Sequence, residues 1–228
     1  MDLAVIGHAL SVWLLPVVIA ITFHEAAHAW VAERCGDRTA RLMGRVTFNP
    51  IKHVDPIGTL AVPGILLLIG APFLFGWARP VPINLGRLNR LKRDMVLVAL
   101  AGPAINLVLA FASALALHAA VFLPPEMASW VGQNLVNSII INVVLAVFNM
   151  LPLPPLDGGR VLTGLLPDPW AWRFAQLERW GFPILIGLLF VVPFAARSMG
   201  LDFNPIFAIL WPPVIGLYDL ILTLAGLP

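Results

Sequence analysis

Long apolar runs alternate with short basic stretches along this chain. Five runs qualify with varying comfort as membrane-crossing helices: Leu3–Ala32, Met95–Leu123, Val131–Leu151, the shorter Gly181–Ala196, and Phe203–Leu227. A hydrocarbon core of about 30 Å needs roughly 20 such residues. A sixth run, Ile57–Trp77, is interrupted by Gly58, Pro63, Gly64, Gly70, Pro72 and Gly76, residues that break regular helix at short intervals. The linkers are the basic stretches Glu33–Asp55 and Ala78–Asp94 and the Pro-rich Leu151–Asp168. Of 228 residues, 60% are hydrophobic and 11% charged, against about 45–50% and about 25% in a soluble domain. The pattern predicts an all-α polytopic membrane protein, with residues 1–228 forming a single integral-membrane domain.

Charge decides how the sixth run behaves. Arg34, Arg38, Arg41, Arg45 and Lys52 precede it, and Arg79, Arg87, Arg90, Lys92 and Arg93 follow it. A true span would put these clusters on opposite faces, against the bias of basic residues toward the cytoplasmic side. A re-entrant segment over 57–77 returns the chain to the same face. Arg160, Arg173 and Arg179 then join them, so 5 + 5 + 3 = 13 of the 14 basic residues share one side, with Arg197 opposite. The expectation is therefore five transmembrane helices plus a re-entrant segment, the alternative being six transmembrane helices. Non-helical backbone at membrane depth must be buried in protein or line a cavity. No long basic block suggests nucleic acid as a partner.

Ionisable residues inside apolar spans are functional candidates by default. The inner end of the first span carries His24-Glu25-Ala26-Ala27-His28. Histidines at i and i+4 share one helical face and reach a single metal ion, and the intervening glutamate is placed to act as a general base. A catalytic zinc takes three protein ligands and keeps one position open. Asp157, in Asn149-Met150-Leu151-Pro152-Leu153-Pro154-Pro155-Leu156-Asp157-Gly158-Gly159-Arg160, is the best third ligand. The prolines end the third span there, and the two glycines allow tight turns that send Asp157 back into the bundle. The other reading of Asp157 is a residue capping the Gly-Gly bend. His53 sits in the loop before the re-entrant segment; it either approaches the metal or a substrate, as a weak second-shell candidate, or is a solvated loop histidine. Gly102 and Asn106 fit small-xxx-polar packing of the second span against its neighbours.

HEAAH in one helix, AGPAIN in the next and NMLPLPPLDGGR at the end of a third resemble the site-2 protease family of intramembrane zinc metalloproteases. GRVTFNPIKHVDPIGTL resembles a compact bacterial-type branch, and the chain has no room for PDZ or CBS domains. The resemblance implies one zinc ion per chain on His24, His28 and Asp157, with Glu25 as catalytic base. It also implies hydrolysis of membrane-embedded protein or peptide substrates near the cytoplasmic face of a bacterial-type cell membrane, by attack of zinc-bound water. Asn149 matches a family asparagine and would hold substrate or oxyanion, or else bond between helices. The rival from another class is a transporter or channel with a structural or transported metal at the same residues. It calls for further ionisable groups across the bilayer, and the outer halves of these spans offer almost none.

Overall fold

The computed structural model describes residues 3–62, 64, 65, 76–201 and 203–228. Among these the chain is helical, with no strand. The long elements are α1 (Leu3–Arg34), α2 (Leu91–Ala120) and α3 (Pro125–Asn149). Two short helices follow, α4 (Asp157–Leu165) and α5 (Asp168–Ala175). Then come α6 (Glu178–Ser198), whose middle widens into a π-turn at Gly187–Val191, and α7 (Pro205–Leu224). Five of these helices, α1, α2, α3, α6 and α7, are long and apolar enough to cross a membrane. The protein is a multi-pass membrane protein.

Local chemistry sets the ends of these elements. The Asp94 carboxylate accepts the Arg90 N–H at 2.7 Å and caps the first turn of α2 from within. That bond starts α2 at Leu91, ahead of the apolar run that begins at Met95. Pro125 and Pro205 occupy first-turn positions of α3 and α7, where a missing N–H costs nothing. The Leu151–Asp168 stretch, expected to be a linker, contains α4, and Asp157 is the first residue of that helix.

Helices α1, α2 and α3 pack on one another, α4 lies against α2, and α7 covers α3. Small residues of α2, Ala110 and Ala114, meet Ile139 and Val143 of α3 and Val214 and Ile221 of α7 in the main apolar cluster. Close approach through small residues is how helices associate where burial from water supplies no drive. Large apolar side chains such as Leu14, Val108, Phe194 and Phe207 remain on the outside, as a lipid-facing surface requires.

The tip of the 57–77 segment, residues 66–75 with Pro63, lies outside the described residues, so its path is not described. Its two ends meet. Trp77 N–H donates to Gly58 O at 3.1 Å, and Thr59 Oγ1 donates to Trp77 O at 2.9 Å. Next to them, Arg79 N–H donates to His53 O at 2.9 Å. From Trp77 to Asn84 the chain runs without helix as a strap beside the C-terminal part of α1, where Val81 meets Glu25. The Arg45 guanidinium, 6% exposed, holds the strap by donating to Arg79 O at 2.7 Å. The enclosed Asp37 carboxylate accepts the Asn84 N–H at 2.6 Å.

Candidate metal centre

His24 and His28 lie one helical turn apart on the face of α1 turned toward α2. All three candidate ligands are buried, with His24 7%, His28 5% and Asp157 6% exposed. The two imidazole Nε2 atoms are 3.0 Å apart. Asp157 Oδ2 lies 3.2 Å from that of His24 and 3.3 Å from that of His28. Nitrogen and oxygen ligands bind zinc at about 2.0–2.1 Å, which puts the corners of its tetrahedron about 3.3 Å apart. The observed triangle has those dimensions.

The protons of the two imidazoles are accounted for elsewhere. His24 Nδ1 is 2.6 Å from Asn106 Oδ1, and His28 Nδ1 is 2.7 Å from Val98 O. Both partners are acceptors, so each Nδ1 carries the proton and donates. A neutral imidazole then has only a lone pair on Nε2. Two such lone pairs converge with a carboxylate oxygen, and Asp157 Oδ2 is enclosed without a hydrogen-bond partner. Three acceptors facing one another need a cation between them. Among the described residues this is the one group of three His, Cys, Asp or Glu side chains able to hold a metal ion.

The Asn106 side chain is itself oriented. Its Nδ2 donates to Asn142 Oδ1 at 2.7 Å, and Asn142 Nδ2 donates to Ser138 O at 2.8 Å. Because Asn142 must present its oxygen, Asn106 must present its amide to Asn142 and its oxygen to His24. Both asparagines are fully buried. A metal-bound histidine is normally fixed this way through its other nitrogen. Asn106 thus does more than the helix packing expected of it. Asn142 escaped the sequence reading, although Asn134, Ser138 and Asn142 recur every four residues and mark one polar face on an apolar helix.

Close backbone approach completes the enclosure. A Cβ at Gly102 would lie 2.4 Å from His28 Nε2, so α2 reaches the imidazoles only because this position is bare. The glycines after Asp157 serve contact as well: they lie inside α4, and a Cβ at Gly158 would lie 2.2 Å from Met150 O. This corrects the expectation of a Gly-Gly turn. Asp157 reaches the histidines because the first turn of α4 presses onto the end of α3.

Glu25 is half-buried, and its Oε2 accepts the Val81 N–H of the strap at 2.8 Å. Asn149 Nδ2 donates to Leu145 O at 3.0 Å within its own helix, so this bond does not bridge helices. His53 is 2% exposed, with Nε2 at 3.0 Å from Thr47 O. The solvated reading of His53 is therefore wrong, because the loop folds over the ring, and His53 gives no atom to the ligand triangle.

Comparison with known proteins points the same way. The model of peptidase family M50 matches residues 126–191, the part that contains Asp157. The chain is 40% identical over 215 residues to the provisionally named zinc metalloprotease YwhC of Bacillus subtilis, covering 92% of this chain and 89% of that protein. The chain belongs to peptidase family M50. It is also 33% identical over 177 residues to the provisionally named zinc metalloprotease Rip2 of Mycolicibacterium smegmatis, covering 78% of this chain but 64% of that protein. A shorter match, 38% over 85 residues, joins this M50 chain to the similarly named MJ0611 of Methanocaldococcus jannaschii. No solved structure matches it. The resemblance to site-2 proteases holds: the protein is a membrane-embedded zinc metalloprotease of the M50 type, and the transporter reading gives way to the enzyme.

Proposed function

We propose that this metalloprotease hydrolyses peptide bonds of membrane-embedded substrates near the cytoplasmic face, with one zinc ion per chain held by His24, His28 and Asp157. The observation that carries the reading is the triangle of enclosed acceptors with both Nδ1 protons committed elsewhere. Zinc, when bound, polarises the scissile carbonyl and acidifies a water.

The rest falls to side chains and backbone. Glu25 takes the proton of the attacking water and delivers it to the departing amine. One of its oxygens is held by the Val81 N–H; a carboxylate accepts on both oxygens, so the other is left for the proton. Asn149, at the end of α3, is the candidate to hold substrate or the developing oxyanion. A helical substrate has its carbonyls hydrogen-bonded along its axis, so it must unwind before attack. The non-helical strap and the Leu151–Leu156 stretch are the candidates to pair with the unwound chain by strand addition. The basic clusters around the 57–77 segment support a re-entrant path and a cytoplasmic site.

The test is cleavage of a membrane-embedded reporter by the wild type and Glu25→Gln, alongside bound zinc. Glu25→Gln should keep zinc and lose turnover, while His24→Ala, His28→Ala and Asp157→Ala should lose most zinc. Equal cleavage by Glu25→Gln would overturn the mechanism. Full zinc in Asp157→Ala would overturn the ligand set.

A further inference from the structure

The C-terminal end of α1 and the N-terminal end of α2 border two adjoining open hollows that none of His24, Glu25, His28 and Asp157 lines. The first, about 250 Å³, is lined by Arg34, Arg90, Arg93 and Asp94. The second, about 570 Å³, is an apolar groove between the same helices, lined by Trp30, Leu97, Leu100 and Ala104. Arg34, Cys35 and Leu97 line both, so the charged hollow opens directly into the groove.

The charges do not cancel. Asp94 is buried, and its carboxylate is taken up by the Arg90 backbone N–H at 2.7 Å. Arg34 lies 4.7 Å above the Trp30 ring. Among the described residues, none of the three arginines has a carboxylate within ion-pairing distance. With three guanidiniums against one engaged carboxylate, the hollow keeps an excess of positive charge. Below it the groove follows α2 from Leu97 to Ala104, about 10 Å at 1.5 Å per residue.

We infer that this composite hollow is a binding site for an anionic phospholipid, with the phosphate among Arg34, Arg90 and Arg93 and an acyl chain along Leu97, Leu100 and Ala104. A zwitterionic lipid brings its own cation into a site that already has cationic charge in excess. A free phosphate leaves the groove unfilled. Basic pockets between transmembrane helices are recognised sites for acidic headgroups. Such a lipid would fasten the end of α1 to the start of α2, which the Asn89 N–H to Cys35 O bond already joins at 2.9 Å.

The test uses the purified, zinc-loaded full chain in a neutral detergent, titrated separately with phosphatidylglycerol, phosphatidylcholine and inorganic phosphate. Bound lipid is read by native mass spectrometry and protection by thermal unfolding. Phosphatidylglycerol should bind and raise the melting temperature, while the other two should do neither. Each arginine neutralised should weaken binding about fivefold, so Arg34→Gln/Arg90→Gln/Arg93→Gln together weaken it about a hundredfold. Ala104→Trp fills the groove with every charge in place and should also weaken binding, which keeps the test valid if the triple variant does not fold. Lys52→Gln and Arg179→Gln remove the same kind of charge elsewhere and should change nothing. Equal binding of phosphatidylcholine, phosphatidylglycerol binding that ignores both the arginine and groove variants, or phosphate binding as tight as the lipid would each overturn the site.

Discussion

Removing Asn106 should loosen the metal without touching a ligand. Its Oδ1 is the acceptor for His24 Nδ1 at 2.6 Å, in a spot with no exposure. In Asn106→Leu that buried N–H loses its partner, at a cost of about 1–3 kcal/mol. The imidazole also becomes free to rotate or to shift its proton to Nε2, which would blunt the lone pair facing Asp157. Loss of such an outer partner weakens metal affinity about 10- to 100-fold, or about 1.4–2.7 kcal/mol. Asn106→Asp keeps an oxygen for His24 and should bind zinc more tightly than Asn106→Leu. Asn142→Leu leaves Asn106 Nδ2 only Ala20 O at 3.3 Å, so its effect should be smaller than that of Asn106→Leu. Since Asn142 acts through Asn106, the double leucine variant should be no weaker than Asn106→Leu alone, a non-additive cycle. Competition with a chromogenic zinc chelator measures each value. Wild-type affinity in Asn106→Leu, or simple additivity in the double variant, would refute the reasoning.

Other outcomes follow from the same geometry. Val81→Pro removes the N–H that holds Glu25 and should lower kcat about 10- to 100-fold with zinc retained; unchanged kcat in the reporter assay would show that the strap does not position the base. Gly102→Ala forces a methyl group against His28 and should cost about 1–3 kcal/mol together with most zinc affinity, read by thermal unfolding and chelator competition. In a Cys35→Ser background, Asn89→Cys and Glu126→Cys should label from opposite faces of the membrane; labelling from one face would break the topology. Burial opposes ionisation of Asp37, but hydrogen bonds from the Thr39 side chain and the Asn84 and Thr39 amides outweigh it and hold the carboxyl below its ordinary value. A depressed carboxyl stabilises the fold above its unfolded pKa of about 3.9 and loses that contribution as pH falls through its folded value. Melting temperature should therefore drop more steeply below about pH 4 in the wild type than in Asp37→Asn.

The parts of this protein legible in its sequence are those with local causes. Five of the six apolar runs announce the five long helices, and His24 and His28 share a face because of helical period alone. Asp157 was reachable because prolines end α3 just before it. Its setting was not, since the sequence does not reveal that Gly158 and Gly159 are bare for contact with Met150 and Pro154. Other features depend on which elements meet. The Val81 amide reaches Glu25 across 56 positions of sequence and Asn142 reaches Asn106 across 36, and neither spacing follows from any local pattern. The solvated reading of His53 rests on its place in a loop, yet its own loop holds the ring through Thr47 O and the strap binds its backbone through Arg79. The start of α2 was misplaced because hydropathy does not register a side chain capping its own helix.

Gly102 also fixes how closely α2 can seat against the centre. With no side chain there, α2 lies flush against both imidazoles and closes that flank as completely as a wall. Asp157 and the packed first turn of α4 close a second flank. Glu25 stands on the same helix as the two histidines, one residue after His24, with the Val81 N–H of the strap on its Oε2. The bareness of one helix position thus sets how tightly two helices can share the ligand cluster.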